Sequence, residues 1–182
     1  MTPEQRREER PARTPEPQPE PWLAAAPPHG ATARKRVLYI DMDNVLVDFR
    51  SGMAACDEAT LREYGEHPDD IPGIFSKMLP MPGAVEAFAE LSGLFDTYIL
   101  STAPWGNPTA WSDKLDWVKR YLGEAANRRL ILSHHKNLNR GDFIVDDRKN
   151  HGVDDFSGVH VHFGQPGTEG WREVLVYLRE QA

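Results

Sequence analysis

Six residues in four short stretches carry the types and spacing needed to act on a charged ester. Asp41 and Asp43 close the run VLYIDMD, and Thr102 follows TYILS. Lys136 follows LILSHH, and Asp146 and Asp147 close FIVDD. Side chains at i and i+2 of an extended segment point to the same side, so Asp41 and Asp43 converge on one spot. Two carboxylates that close repel each other unless one is protonated or a cation lies between them. A hard oxygen-loving ion such as Mg²⁺ suits that place. The group as a whole suits a phosphate ester. One carboxylate can attack and carry the phosphoryl group. A second can protonate the leaving oxygen and later deprotonate water. A hydroxyl and a lysine can hold the phosphoryl oxygens. Mg²⁺ bound by the first and last acidic loops would offset the repulsion between nucleophile and phosphate.

The elements that must position these groups alternate between strand and helix. Val37–Ile40 is a short apolar run that reads as a buried strand. Met53 to Tyr64 can form a helix, and Gly65, Pro68, Pro72 and Gly73 then punctuate the chain. Asp69-Asp70, in that turn-rich part, reads as a solvated pair. A helix over Ala84–Ser92 places Val85, Phe88 and Leu91 on one face. Thr97–Leu100, Leu130–Leu132, Phe143–Val145 and Val159–Phe163 are further strands. Trp111, Leu115, Val118 and Leu122 mark a helix between the second and third strands, and Glu169 to Glu180 a closing one. Such alternation predicts an α/β fold, three layers with a mostly parallel sheet and right-handed crossovers. Strand after strand ends in chemistry, and the carboxyl ends of parallel strands share one edge where ligands bind.

Composition narrows the alternatives. A net charge of −7 argues against a nucleic-acid polymer as partner. It leaves room for a small phosphorylated ligand, because a bound cation inverts the local sign. The lone Cys56 excludes an internal disulfide and fits a reducing, cytoplasmic setting. The sequence shows no apolar run long enough to span a bilayer and no secretory signal. Residues 1–33, rich in Pro, Glu, Arg and Gln, read as a disordered tail ahead of one domain over 34–182. A homodimer is allowed by the sequence and not required by it. His160 and His162 alternate on a strand, but a third zinc ligand is missing. His134 and His135 read as loop residues.

The ordered series D-x-D, strand plus Thr, Lys, strand plus D-D resembles the haloacid dehalogenase-like (HAD) superfamily. Within it, IDMDNVLVDF, LPMPGAVEAF, ILSTAP and FIVDDR are similar to segments of the 5'(3')-deoxyribonucleotidase family. The resemblance spans about Val37 to Phe163 and implies a HAD-like Rossmannoid fold with a small helical cap inserted after the first strand, over 51–79. It implies a Mg²⁺-dependent phosphomonoesterase acting on nucleoside monophosphates. Asp41 then matches the nucleophile and Asp43 the acid/base residue, whose backbone carbonyl also binds the metal. Thr102 and Lys136 match the phosphate-binding residues, and Asp146 and Asp147 complete the metal ligands. Phe49 falls where the family sets an aromatic against the nucleoside.

Three departures accompany the match. Asn44 replaces a glycine and tolerates a left-handed turn better than most residues. Ala103 stands where relatives often carry a hydroxyl. The cap is shorter, and Phe75 and Trp105 are the candidates for its base-reading aromatics. Two rival readings are a HAD phosphatase for another small metabolite and a non-enzymatic Mg²⁺-binding phospho-acceptor module. Asp43, two residues past the nucleophile, speaks against the second.

Overall fold

A computed structural model describes residues 34–182, so the expected tail over 1–33 lies outside the described residues. Five strands form one parallel sheet: β1 (Val37–Ile40), β4 (Asp96–Ser101), β5 (Leu130–Leu132), β6 (Phe143–Asp146) and β7 (Val159–His162). Their order is β5-β4-β1-β6-β7, which puts β1 in the middle. Leu38 pairs with Thr97 on one side and Phe143 on the other. Asp41 therefore stands at the centre of the carboxyl edge, flanked by the ends of β4 and β6.

The alternation along each strand sorts the core. Leu38, Ile40, Ile99, Phe143 and Val145 turn to one face and bury with α3 (Ala84–Leu94), α4 (Ala110–Tyr121) and α5 (Trp171–Arg179). Phe88 and Leu91 from α3 are fully buried there. Truncating such a phenylalanine to alanine costs about 3–5 kcal/mol in lost transfer energy and cavity. Tyr39, Leu100 and Ile144 turn to the other face, where Val153 and Phe156 cover them from a short 3₁₀ turn. Among the described residues, no α-helix contributes to that second cluster.

Two helices depart from the sequence reading. The single helix expected over Met53–Tyr64 is two, α1 (Phe49–Ala54) and α2 (Glu58–Tyr64). Asp57 accepts from the backbone N–H and hydroxyl of Thr60 and starts α2 afresh. In α4, Trp111 and Leu115, two of the residues that mark the helix, are 44% and 42% exposed. The buried face carries Ala110, Lys114, Trp117 and Val118 instead.

The insertion after β1 is closed at its base by a two-residue antiparallel pair, β2 (Val47–Asp48) with β3 (Leu79–Pro80). A tight turn leads into it. Asn44 takes φ +59°, and the N–H groups of Val45, Leu46 and Val47 all reach the Met42 carbonyl. Asn107, fully buried, donates both amide hydrogens downward onto the insertion, to the carbonyls of Asp69 and Ile71 at 2.9 Å. Trp117 adds a bond from its indole N–H to the Met78 carbonyl. Among the described residues, no helix is long and apolar enough to cross a membrane.

Candidate active site

The carboxyl edge of the sheet opens into a cavity of about 380 Å³ lined by Asp41, Asp43, Thr102, Lys136, Asp146 and Asp147. Four loops separated in sequence thus bring all six strand-end residues to one place. Asp41 continues β1 by donating its N–H to the Val145 carbonyl at 2.9 Å. Its side chain is almost fully buried. Lys136 arrives from the loop after β5 and bridges two carboxylates. Its Nζ lies 2.8 Å from Asp41 Oδ1 and 2.5 Å from Asp146 Oδ2. Thr102 donates its hydroxyl to the Ser133 carbonyl at 2.9 Å, which ties the end of β4 to the loop that carries Lys136.

Charge is unbalanced at this point. Asp41, Asp146 and Asp147 each place a carboxylate oxygen within 4.8 Å of the others. One ammonium, Lys136, bridges two of them. Burial, and then the Asp41 charge, push the Asp146 carboxyl up to about 7, against the pull of Lys136 and of the Arg148 N–H. Asp147 is raised by burial and by Asp41, with Arg148 opposing. Burial pulls the Lys136 ammonium down, but Asp41 and Asp146 outweigh it and leave it raised. Three hard oxygen donors with surplus negative charge fit a small divalent cation such as Mg²⁺ by ligand type and by charge.

Asp43 stands apart from that cluster. Both of its carboxylate oxygens lie 2.8 Å from Lys114 Nζ. Lys114 is fully buried in α4, also donates to Ser101 Oγ at 3.0 Å, and sits 4.4 Å over the Phe75 ring. Burial raises the Asp43 pKa, with Lys114 lowering it and Asp41 raising it further. A carboxyl that holds its proton more tightly than in water is suited to give up a proton and take one back. The sequence reading missed Lys114. Its only signal is a lysine in register with the buried face of an amphipathic helix.

The outer part of the cavity differs from expectation. Asp69 and Asp70, read as a solvated pair, line the cavity from a 3₁₀ turn of the insertion. Gly106 makes room for Asp70: a Cβ there would fall 2.5 Å from Asp70 Oδ1. Trp105 lines the mouth and is 86% exposed. Its ring meets His134 edge-on at 5.9 Å. His134 and His151 also line the cavity, and His134 Nε2 is buried without a hydrogen-bond partner among the described residues. Burial, then the Lys136 charge, lower the His151 pKa. Phe75 is 1% exposed and Phe49 packs on it at 6.1 Å. Both lie outside the cavity lining, Phe75 beneath Lys114.

Neighbouring loops hold the acidic pair. Asn44 donates to Asp147 Oδ2 at 3.3 Å, and Arg148 Nε lies 3.5 Å from the same oxygen. The imidazoles of His160 and His162 reach the backbone carbonyls of Asp146 and Asp147.

Comparison with known proteins follows the same lines. The family model described as 5' nucleotidase, deoxy (pyrimidine), cytosolic type C protein matches residues 60–174. A Vibrio phage KVP40 protein, provisionally named a 5'(3')-deoxyribonucleotidase, is 51% identical over 147 residues, 81% of this chain and 86% of the phage protein. The human cytosolic-type 5'(3')-deoxyribonucleotidase is 26% identical over 175 residues, covering 79% of this chain and 80% of the human one. A haloacid dehalogenase-like hydrolase structure from Burkholderia xenovorans LB400 superposes with a TM-score of 0.53 at 18% identity, over 81% of this chain and 98% of that one. That likeness speaks to the fold.

Proposed function

The chain belongs to the 5'(3')-deoxyribonucleotidase family of the HAD superfamily and is a phosphoric monoester hydrolase, and on that premise we propose that it dephosphorylates nucleoside monophosphates, deoxyribonucleotides foremost, through a phosphoaspartate on Asp41. The observation that carries this reading is the Lys136 bridge between Asp41 and Asp146 inside a cavity sized for one small ester.

Lys136 holds Asp41 by Oδ1, which leaves the second oxygen free to attack phosphorus. Lys136 holds a phosphoryl oxygen, and Thr102 holds another once its hydroxyl turns from the Ser133 carbonyl to the substrate. As the bond to the ester oxygen breaks, Asp43 gives that oxygen its proton, so the nucleoside leaves neutral. Asp43 then takes a proton from water, whose oxygen attacks the phosphoaspartate and releases phosphate with Asp41 restored. Mg²⁺, held by Asp41, Asp146, Asp147 and the Asp43 backbone carbonyl, would supply the charge neutralisation that lets an anionic nucleophile approach an anionic ester. In-line phosphoryl transfer needs mainly such positioning and neutralisation. Asp69 and Asp70 support a monophosphate, because a second phosphoryl group at the outer wall would meet two carboxylates.

Phosphate release from a panel of nucleoside monophosphates and sugar phosphates, with and without Mg²⁺, tests the reading. Nucleotides should be favoured, and Asp41→Asn should abolish turnover. Retained turnover in that variant would remove the covalent step, and a preference for sugar phosphates would overturn the substrate class.

A further inference from the structure

The ends of β6 and β7 carry an arrangement that the reaction above leaves unused. His160 and His162 lie on one face of β7, and their rings stack with centroids 4.9 Å apart and 22° between planes. Each half-buried ring turns Nε2 to the neighbouring strand, His160 to the Asp146 carbonyl at 2.9 Å and His162 to the Asp147 carbonyl at 3.0 Å. A carbonyl oxygen only accepts, so both Nε2 atoms carry hydrogen. With both nitrogens so engaged, the pair is not the zinc site considered from its spacing.

The backbone ladder ends at this point. Asp146 pairs with His162, and the Phe163 N–H donates to the Asp146 carbonyl at 3.0 Å. Beyond it, the Asp147 carbonyl takes its bond from an imidazole instead of a backbone N–H. The His162 ring therefore continues the sheet by one rung past its last backbone bond, and the His160 ring adds a second bond to that last rung. That rung lies under the residues whose carboxylates project into the cavity. The Asp147 carboxylate itself is loosely held, at 3.3 Å from Asn44 and 3.5 Å from Arg148. Its direction depends on the peptide plane behind it.

We propose that His160 and His162 are positioning residues for the cation site, His162 the more consequential, and that they set its affinity by fixing the backbone of Asp146 and Asp147. The inference rests on the reading of that pair as cation ligands. Groups that orient metal ligands from behind are commonly worth about 10–100-fold in metal affinity.

Calorimetric titration of MgCl₂ into the full chain tests this. His162→Ala should weaken Mg²⁺ binding by about 10–100-fold. His162→Gln, whose amide can still donate, should recover most of the loss, and the shorter His162→Asn should not. His160→Ala should lose less, because the Asp146 carbonyl keeps its backbone partner. A purely structural role would lower the melting temperature of the metal-free variants and leave the Mg²⁺ affinity unchanged, and that result overturns the inference. Should His162→Ala fail to fold, equal Mg²⁺ affinity of the Gln and Asn variants overturns it as well. Failure of the underlying reading looks different: wild type would bind no Mg²⁺, or Asp147→Asn would bind it as wild type does.

Discussion

Lys114 holds both carboxylate oxygens of Asp43 at 2.8 Å from a position fully buried in α4. The contact sets one carboxylate apart from the acidic cluster of Asp41, Asp146 and Asp147, as the proposed proton transfer requires. Lys114→Met should lower kcat on nucleotides by about 10²–10⁴-fold, the usual worth of a positioned acid and base. The loss should be much smaller in the first-turnover burst of p-nitrophenol from p-nitrophenyl phosphate, which precedes the water step and frees a leaving group that needs no proton. Equal losses on the two substrates would mean that Lys114 only supports the fold. Removing one partner of a buried pair also costs stability, here about 3–5 kcal/mol, so melting curves must accompany the kinetics.

The acidic cluster should make the metal-free protein sensitive to alkali. Asp146 titrates near 3.8 when unfolded and near 7 in the folded site. A raised carboxyl contributes stability in full below its unfolded pKa and loses it as pH rises through its folded one. The melting temperature in chelator should therefore fall on going from about pH 5 to about pH 8. Mg²⁺ needs the ionised form, so its apparent affinity should climb over the same interval and level off above it. A chelated protein that gains stability across this window contradicts the assignment.

Asn107 ties the insertion to the loop after β4 by two buried bonds. Asn107→Ala leaves the Asp69 and Ile71 carbonyls unpaired and should cost about 1–3 kcal/mol. Because the outer cavity wall then loosens, KM for nucleotides should rise while kcat on p-nitrophenyl phosphate stays near wild type. Unaltered KM together with lowered stability would confine Asn107 to a structural part.

Asp70 faces the cavity from the insertion, beside Gly106. Asp70→Asn removes one negative charge from the outer wall. The ratio of kcat/KM for a nucleoside 3',5'-bisphosphate to that for the monophosphate should rise about 5–10-fold at low salt and shrink as salt screens the site. A ratio that does not move places the carboxylate outside the substrate's reach.

The strand ends were legible because a short apolar run closed by polar residues is a local signal, and a parallel sheet collects such ends on one edge. Asp41, Thr102, Lys136 and Asp146 share a cavity for that reason. Lys114 was not legible, since its partner lies 71 residues away and nothing in a helical repeat announces a buried ion pair. Asp69 and Asp70 read as solvated from their turn-rich surroundings; Asn107, from another loop, folds that turn over the site. For His160 and His162 the shared face was plain from their alternation. Their partners belong to the adjacent strand, which spacing within one strand does not reveal. Phe75 shows the converse: an aromatic in the right segment turns inward into the main core, where its ring lies 4.4 Å from the Lys114 ammonium.

Trp105 gives the site an intrinsic optical probe. Its indole stands 86% exposed at the cavity mouth, whereas Trp117 and Trp171 are buried and Trp111, 44% exposed, lies outside the cavity lining. A nucleotide settling against that ring would quench or blue-shift its emission, and collisional quenchers would lose access to it. Trp105→Phe should abolish this response and leave the signal of the other tryptophans unchanged by ligand. Ligand association could then be followed in stopped-flow fluorescence on the inactive Asp41→Asn variant, without a label.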